Sequence, residues 1–133
     1  MSPYEYFGDS IPDGLVALNV GWLDTEKEFA RGVVTDDFLF ALSSVVKNDP
    51  KMKTRGWHRC QLPHSGGANP YPATVEIDNQ KISLGGAEVR VVSESGEWMI
   101  APDLILHYVM DHSYRPPERF IDAVIAKRIA PSP

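Results

Sequence analysis

Apolar and polar positions along the chain switch between two periods, one suited to strands and one to helices. Leu15 to Leu23 (LVALNVGWL) is nearly continuous in apolar residues and stops at Asp24, which predicts a buried strand. A turn over 24–32 follows. Thr35-Asp36-Asp37 then opens a predicted helix, because a hydroxyl or carboxylate there accepts from free N–H groups and the acids favour the positive end of the dipole. Phe38, Leu39, Leu42, Val45 and Val46 give that helix one apolar stripe, and Asn48-Asp49-Pro50 ends it.

Beyond a basic loop, Gly56 to Leu62 reads as short and extended, and Pro63 to Pro72 as loop. Ala73 to Asp78 and Lys81 to Leu84 read as strands about an Asn79-Gln80 turn. Glu88 to Val92 and Trp98 to Ile100 flank Ser-Glu-Ser-Gly-Glu, which is hairpin chemistry. Pro102 is read as lying in the first turn of a helix that runs through Asp111, with Leu104, Ile105, Tyr108 and Val109 as its apolar face. Pro116-Pro117 separates this from a helix over Glu118 to about Arg128, whose stripe is Phe120, Ile121, Val124 and Ile125. Tyr114 is expected to pack back on the helices. Residues 1–14 read as an irregular lead-in and 129–133 as a frayed tail. Strands grouped before helices predict an α+β fold over 1–133. It is a single domain with a mainly antiparallel sheet, one helix after the first strand and two C-terminal helices.

The 133 residues match one ordinary domain, and 43% hydrophobic with 23% charged residues is a globular composition. No apolar run approaches the ~20 residues of a membrane helix, and the N-terminus lacks the basic and apolar stretches of a signal peptide. A lone cysteine makes no internal disulfide, so the expected compartment is the cytoplasm. A net charge of −5 is the wrong sign for neutralising phosphates, so no nucleic-acid partner and no membrane are expected. Locally, Lys47, Lys51, Lys53, Arg55 and Arg59 crowd one 13-residue window. Without a phosphate cradle beside them, they read as a solvated loop rather than an anion patch.

The histidines fall in two groups. His58, Cys60 and His64 form H-x-C-x-x-x-H, and His107 and His112 form H-x-x-x-x-H across a helix end. Thiolate and imidazole are the donors zinc prefers, three or four in a tetrahedron. Five residues apart, His107 and His112 do not share a face of an ideal helix. Asp111 is better placed beside His107, either as a ligand or as the acceptor behind the metal for a ring N–H. Each group also has an ordinary structural reading: Cys60 as a small core residue, His107 as a satisfied core histidine, His112 as a helix cap. Cys60 with His58 or His107 and Asp111 would compose a nucleophilic scheme, but no oxyanion-hole loop surrounds it. Asp36-Asp37 and Glu94/Glu97 occupy cap and turn positions. Gly66-Gly67 and Gly85-Gly86 lack the helix a phosphate loop needs.

Four segments, GWLD at 21–24, GWHRC at 56–60, LGGAEVRV at 84–91 and APDLILHYVMDHSYRPPERFIDAV at 101–124, resemble a family of small bacterial proteins without an established activity. The last carries H-Y-x-x-x-H-x-Y-x-P-P-x-x-F. The family pattern G-[FW]-H-x-C-x-x-C resembles a metal centre, with His58 and Cys60 matching it and Pro63 standing at the second cysteine. The resemblance therefore implies a metal, read as zinc, held by Cys60, His58 and His107, with His64 in place of the missing cysteine and Asp111 and His112 behind or in place of them; Pro63 excludes CxxC redox chemistry. The resulting expectation is a non-enzymatic binding domain with another protein as partner, stabilised by one zinc. The alternative is a metal-dependent hydrolase with an open zinc position and Asp111 or Glu88 as base.

Overall fold

The structure, a computed structural model, describes residues 3–4, 7–23, 28–53, 59–62 and 72–131. His58 and His64 lie outside the described residues, as do Arg55, Trp57 and Pro63.

The first strand, β1, covers only Ala17–Asn19 and is half-buried. Leu15 and Val16 are exposed, so the long apolar run from Leu15 yields one short strand. Gly21 ends the extended stretch with a positive φ of 71° and lies so close to Ile105 that a Cβ would stand 2.9 Å from its Cδ1. Helix α1, Asp36–Asn48, forms as its sequence predicts. Thr35 Oγ1 accepts from the Phe38 N–H, and Phe38, Ala41, Leu42, Val45 and Val46 are buried.

Strands β2 (Thr74–Ile77) and β3 (Gln80–Ser83) make a separate antiparallel hairpin. Its turn is Asp78-Asn79, one residue earlier than the sequence reading. The turn needs positive φ at both central positions (52° and 63°), which Asp and Asn tolerate better than Gln.

Strand β5 (Trp98–Pro102) is the middle of a three-stranded sheet, antiparallel to β4 (Glu88–Val92) and parallel to β1. All five of its residues are buried, as a central strand covered on both faces requires. Pro102 is thus the last residue of β5 and not part of a helix.

Two helices complete the α+β domain: α2 (Ile105–His112) and α3 (Glu118–Ile125). The fold class is the one the sequence predicts. α3 is shorter than expected because Lys127 turns into the left-handed region (φ 57°), and Ile125 is partly exposed. Phe38 of α1 and Phe120 of α3 meet edge to face at 6.5 Å in the core. Each is fully buried and contributes about 1.5–3 kcal/mol by burial alone.

Both outer edges of the sheet are occupied. Beyond β1, Pro3 bridges Leu18 and the Tyr4 N–H donates to the Ala17 carbonyl (2.9 Å). Beyond β4, Val92 N–H donates to Arg128 O (2.7 Å), Ala130 N–H to Arg90 O (3.0 Å), and Lys51 and Glu88 exchange a reciprocal pair (2.9 and 2.8 Å). The lead-in is irregular, with Tyr4 packed against the domain, and of the tail read as frayed, Ala130 is paired to Arg90. Tyr4 and Ala130 are buried because each carries backbone pairing that water would otherwise supply.

A candidate metal centre

The corner where β5 enters α2 is fixed by Asp103. Its carboxylate accepts from the Gly85 N–H at 2.5 Å, and its own N–H donates to Ala87 O at 3.0 Å. Burial pushes this carboxyl up to about 6, against the pull of the Gly85 and Ala87 N–H groups and of Lys53. The other end of α2 is closed by Ser113 in the left-handed region (φ 56°), and the N–H groups of Ser113 and Tyr114 both reach Tyr108 O. Segment 30–32 then straps this end antiparallel: Gly32 N–H donates to Ser113 O, and Arg115 N–H to Ala30 O, each at 3.0 Å. Tyr114 packs back as expected, edge-on to Phe29 at 5.9 Å, and burial pushes its phenol up to about 12.

Against this helix end lies residues 59–62, whose exposure alternates as in a strand: Arg59 and Gln61 outward, Cys60 and Leu62 inward. The thiol of Cys60 is fully buried. Its Sγ stands 3.5 Å from Nε2 of His112. His107 is buried, and its ring meets that of His112 edge to face at 5.1 Å. One ligand atom from each of Cys60, His107 and His112 lies within 4.8 Å of the other two. Zn–S and Zn–N bonds at the tetrahedral angle would place sulfur and nitrogen about 3.6 Å apart, so the Cys60–His112 separation already suits a shared ion.

Asp111 stands behind the group. Its Oδ2 is 3.0 Å from His107 Nδ1, across one helical turn. A carboxylate there selects the Nδ1–H tautomer and puts the ring's lone pair on Nε2, the carboxylate–histidine–metal arrangement. Asp111 thus stands in contact with the His107 ring, one of the two positions the sequence allowed it.

The sequence reading ranked His112 behind His107, and the structure brings them together. Five residues separate their Cβ atoms by about 140° around the axis and about 7.5 Å along it. The two rings nonetheless meet edge to face at 5.1 Å, at the helix end that Ser113 closes. The sequence signal was the pair itself, two histidines near the end of one helix with an acid between them. Asp111 and His112 are thus an acceptor and a candidate ligand respectively, while the proposed ligands His58 and His64 fall outside the described residues.

Two other readings lose their footing. Burial pushes the Cys60 thiol up, and the negative charge of Asp111 adds to this, the reverse of an activated nucleophile. Glu88 is no base at this site, because Tyr4 donates to its Oε2 at 2.5 Å and Arg90 Nη2 pairs with its Oε1 at 2.7 Å. The basic window is also dispersed: Lys47 pairs with Asp78 at 3.0 Å, the Lys51 backbone joins Glu88, and Arg59 turns outward.

The arrangement is that of a small α+β domain with a thiol and two imidazoles converging at one helix end. The chain matches the family described as "Domain of unknown function (DUF7919)" over residues 1–125, and it belongs to that family. No curated protein and no solved structure matches it. Among the described residues, no helix is long and apolar enough to cross a membrane.

Proposed function

We propose that this protein is a binding domain stapled by one zinc ion, held by Cys60, His107 and His112, with Asp111 orienting His107. The observation that carries the reading is the convergence of three soft-to-borderline donor atoms within 4.8 Å of one another. The ion would tie residues 59–62, far from α2 in the chain, to the end of α2. His58 and His64 remain the candidates for a fourth ligand.

The burial of Cys60 and His107 supports a closed, structural site over the open water position a metal-dependent hydrolase needs. A partner protein is the proposed target of the domain. Val33 and Phe40, large apolar side chains exposed at and before α1, support that half of the reading.

The test is elemental mass spectrometry on untagged protein, beside Cys60→Ser and His112→Ala. The expected result is near-stoichiometric zinc in the wild type and its loss in both variants. Metal-free wild-type protein, refolded with zinc and still metal-free, overturns the reading. Bound zinc together with turnover on an ester and phosphoester panel, lost in Asp111→Ala with the metal retained, would instead establish the hydrolase.

A further inference from the structure

The segment that straps the end of α2 has a second edge. Its bonds to residues 113–115 come from Gly32 N–H and Ala30 O, so the peptide groups of Arg31 point the other way. Exposure alternates from Arg31 to Thr35, with 31, 33 and 35 exposed and 32 and 34 half-buried, as an extended segment requires. Thr35 is itself extended (φ −77°, ψ 157°). The same alternation turns the N–H groups of Val33 and Thr35 to the side that Arg31 faces. Among the described residues, none of these three N–H groups meets an acceptor. Val33 O accepts from Arg115 Nη1 at 3.3 Å and keeps its second lone pair, while Thr35 O is taken by Leu39 N–H at 3.1 Å. Such an edge is a template for another strand. Residues 29–35 contain no proline or lysine to deter pairing, and the guanidinium of Arg31 lies back over the Phe29 ring at 4.6 Å. Val33, at the middle, is 91% exposed.

We propose that this edge joins two copies of the chain in a two-fold, antiparallel pair centred on Val33. Residues facing each other across a ladder carry their side chains on one face, so a two-fold pair sets odd positions against odd and even against even. Centring on Val33 places Val33 against Val33 and Arg31 against Thr35, and so uses all three outward residues. Centring on Gly32 or Val34 leaves one of them unpaired, centring on Arg31 sets like charges face to face, and centring on Thr35 runs the pair into α1. A β-branched side chain then meets its own kind at the axis, a favourable cross-strand pair. The charges also complement each other: Arg31 of one copy faces the start of α1 in the other, where Asp36 and Asp37 stand exposed. Five paired residues make a contact narrower than the roughly 1,200 Å² of a stable interface, so the dimer is reversible, with a Kd of about 10–500 µM. The pairing uses no ligand of the zinc reading and does not rest on it. Phe40, on α1 beyond the strap, is left to the domain's partner.

The test is sedimentation equilibrium of the full chain from about 10 µM to about 1 mM, with amide hydrogen exchange at both ends of that range. The expected result is a monomer–dimer equilibrium, with the Val33 and Thr35 amides protected only at high concentration. Val33→Asp sets two carboxylates face to face and should weaken the dimer at least about tenfold, while Val33→Ile should keep it. Arg31→Glu, away from the axis, should weaken it as well. Val33 is exposed enough that its two variants should melt as the wild type does, which a thermal scan checks. A dimer as tight in Val33→Asp as in the wild type, or one whose Val33 amide exchanges as fast as the monomer's, overturns the proposal. So does a chain that stays monomeric throughout, which would leave the edge to a strand of another protein.

Discussion

Two buried polar clusters in this molecule are built on opposite principles. In the first, Tyr4, Glu88 and Arg90 complement one another. The phenol donates to one carboxylate oxygen, the guanidinium pairs with the other, and Arg90 Nη2 donates back to the phenol oxygen at 3.2 Å. Donors meet acceptors and the charges cancel. One atom, Arg90 Nη1, is left without a partner. In the second, one ligand atom from each of Cys60, His107 and His112 lies within 4.8 Å of the other two, with the Cys60 thiol in contact with His112 Nε2 at 3.5 Å and Asp111 against His107. The complementary set satisfies all of its own groups but Arg90 Nη1 and works as a buried clasp. A set of like donors gains its full stabilisation only from a cation at its centre. The difference separates a self-paired network from a candidate metal site in a way that burial alone does not, since Arg90 and Cys60 are both fully buried.

The comparison can be broken most sharply at Glu88. Glu88→Ala leaves Arg90 charged, buried and unpaired, which should cost about 3–5 kcal/mol, read by urea unfolding. Zinc stoichiometry in the protein that remains folded should not change. Coupled loss of both would mean that the two clusters are one network.

A third buried acid, Asp103, sharpens the contrast through pH. Its native carboxyl is raised to about 6, above its value of 3.8 in an unfolded chain. The native state therefore holds the proton more tightly. The associated stability is fully present below about pH 4 and is lost as pH rises through about 6, an effect on the order of 3 kcal/mol. Measured in chelator, to silence the metal site, stability should fall over this window in the wild type and stay level in Asp103→Asn. A level wild-type profile would show that the N–H groups of Gly85 and Ala87 offset the burial entirely.

The smallest of these effects is at Asp111. Asp111→Asn keeps a hydrogen-bond acceptor beside His107 Nδ1 but removes the charge. Zinc affinity should fall about 10–100-fold, equivalent to about 1.4–2.7 kcal/mol, with metal-free stability little changed. Competition with a fluorescent chelator measures it. Unchanged affinity would detach Asp111 from the site.

Much of the fold was legible where local chemistry and tertiary packing agree. Thr35 with the Phe38–Val46 stripe specifies α1, and the residues of β4 and β5 with a Gly-containing loop between them specify a hairpin. Legibility failed where long-range pairing decides. Nothing local in Ala17–Asn19 announces a parallel partner at Trp98–Ile100, nor do Arg128 and Ala130 announce that they complete a sheet edge. At the site, residue types were readable and the grouping was not. Cys60 and His107 were identified as metal-ligand types, but their meeting with His112 depends on how the rings turn at a helix terminus and on a chain segment 52 positions away from His112.

The occupied sheet edges carry a consequence for how the molecule behaves in company. An unguarded strand edge is a template for a neighbour's strand, and its hazard grows with concentration. Here the guards are peptide segments near the two ends of the chain, residues 3–4 on one side and 128–130 on the other. Trimming either guard would uncover a row of backbone donors and acceptors, and on the residue 3–4 side it would also remove Tyr4 from its buried contact with Glu88. Cleavage inside either guard would therefore turn a covered strand edge into a template for edge-to-edge assembly.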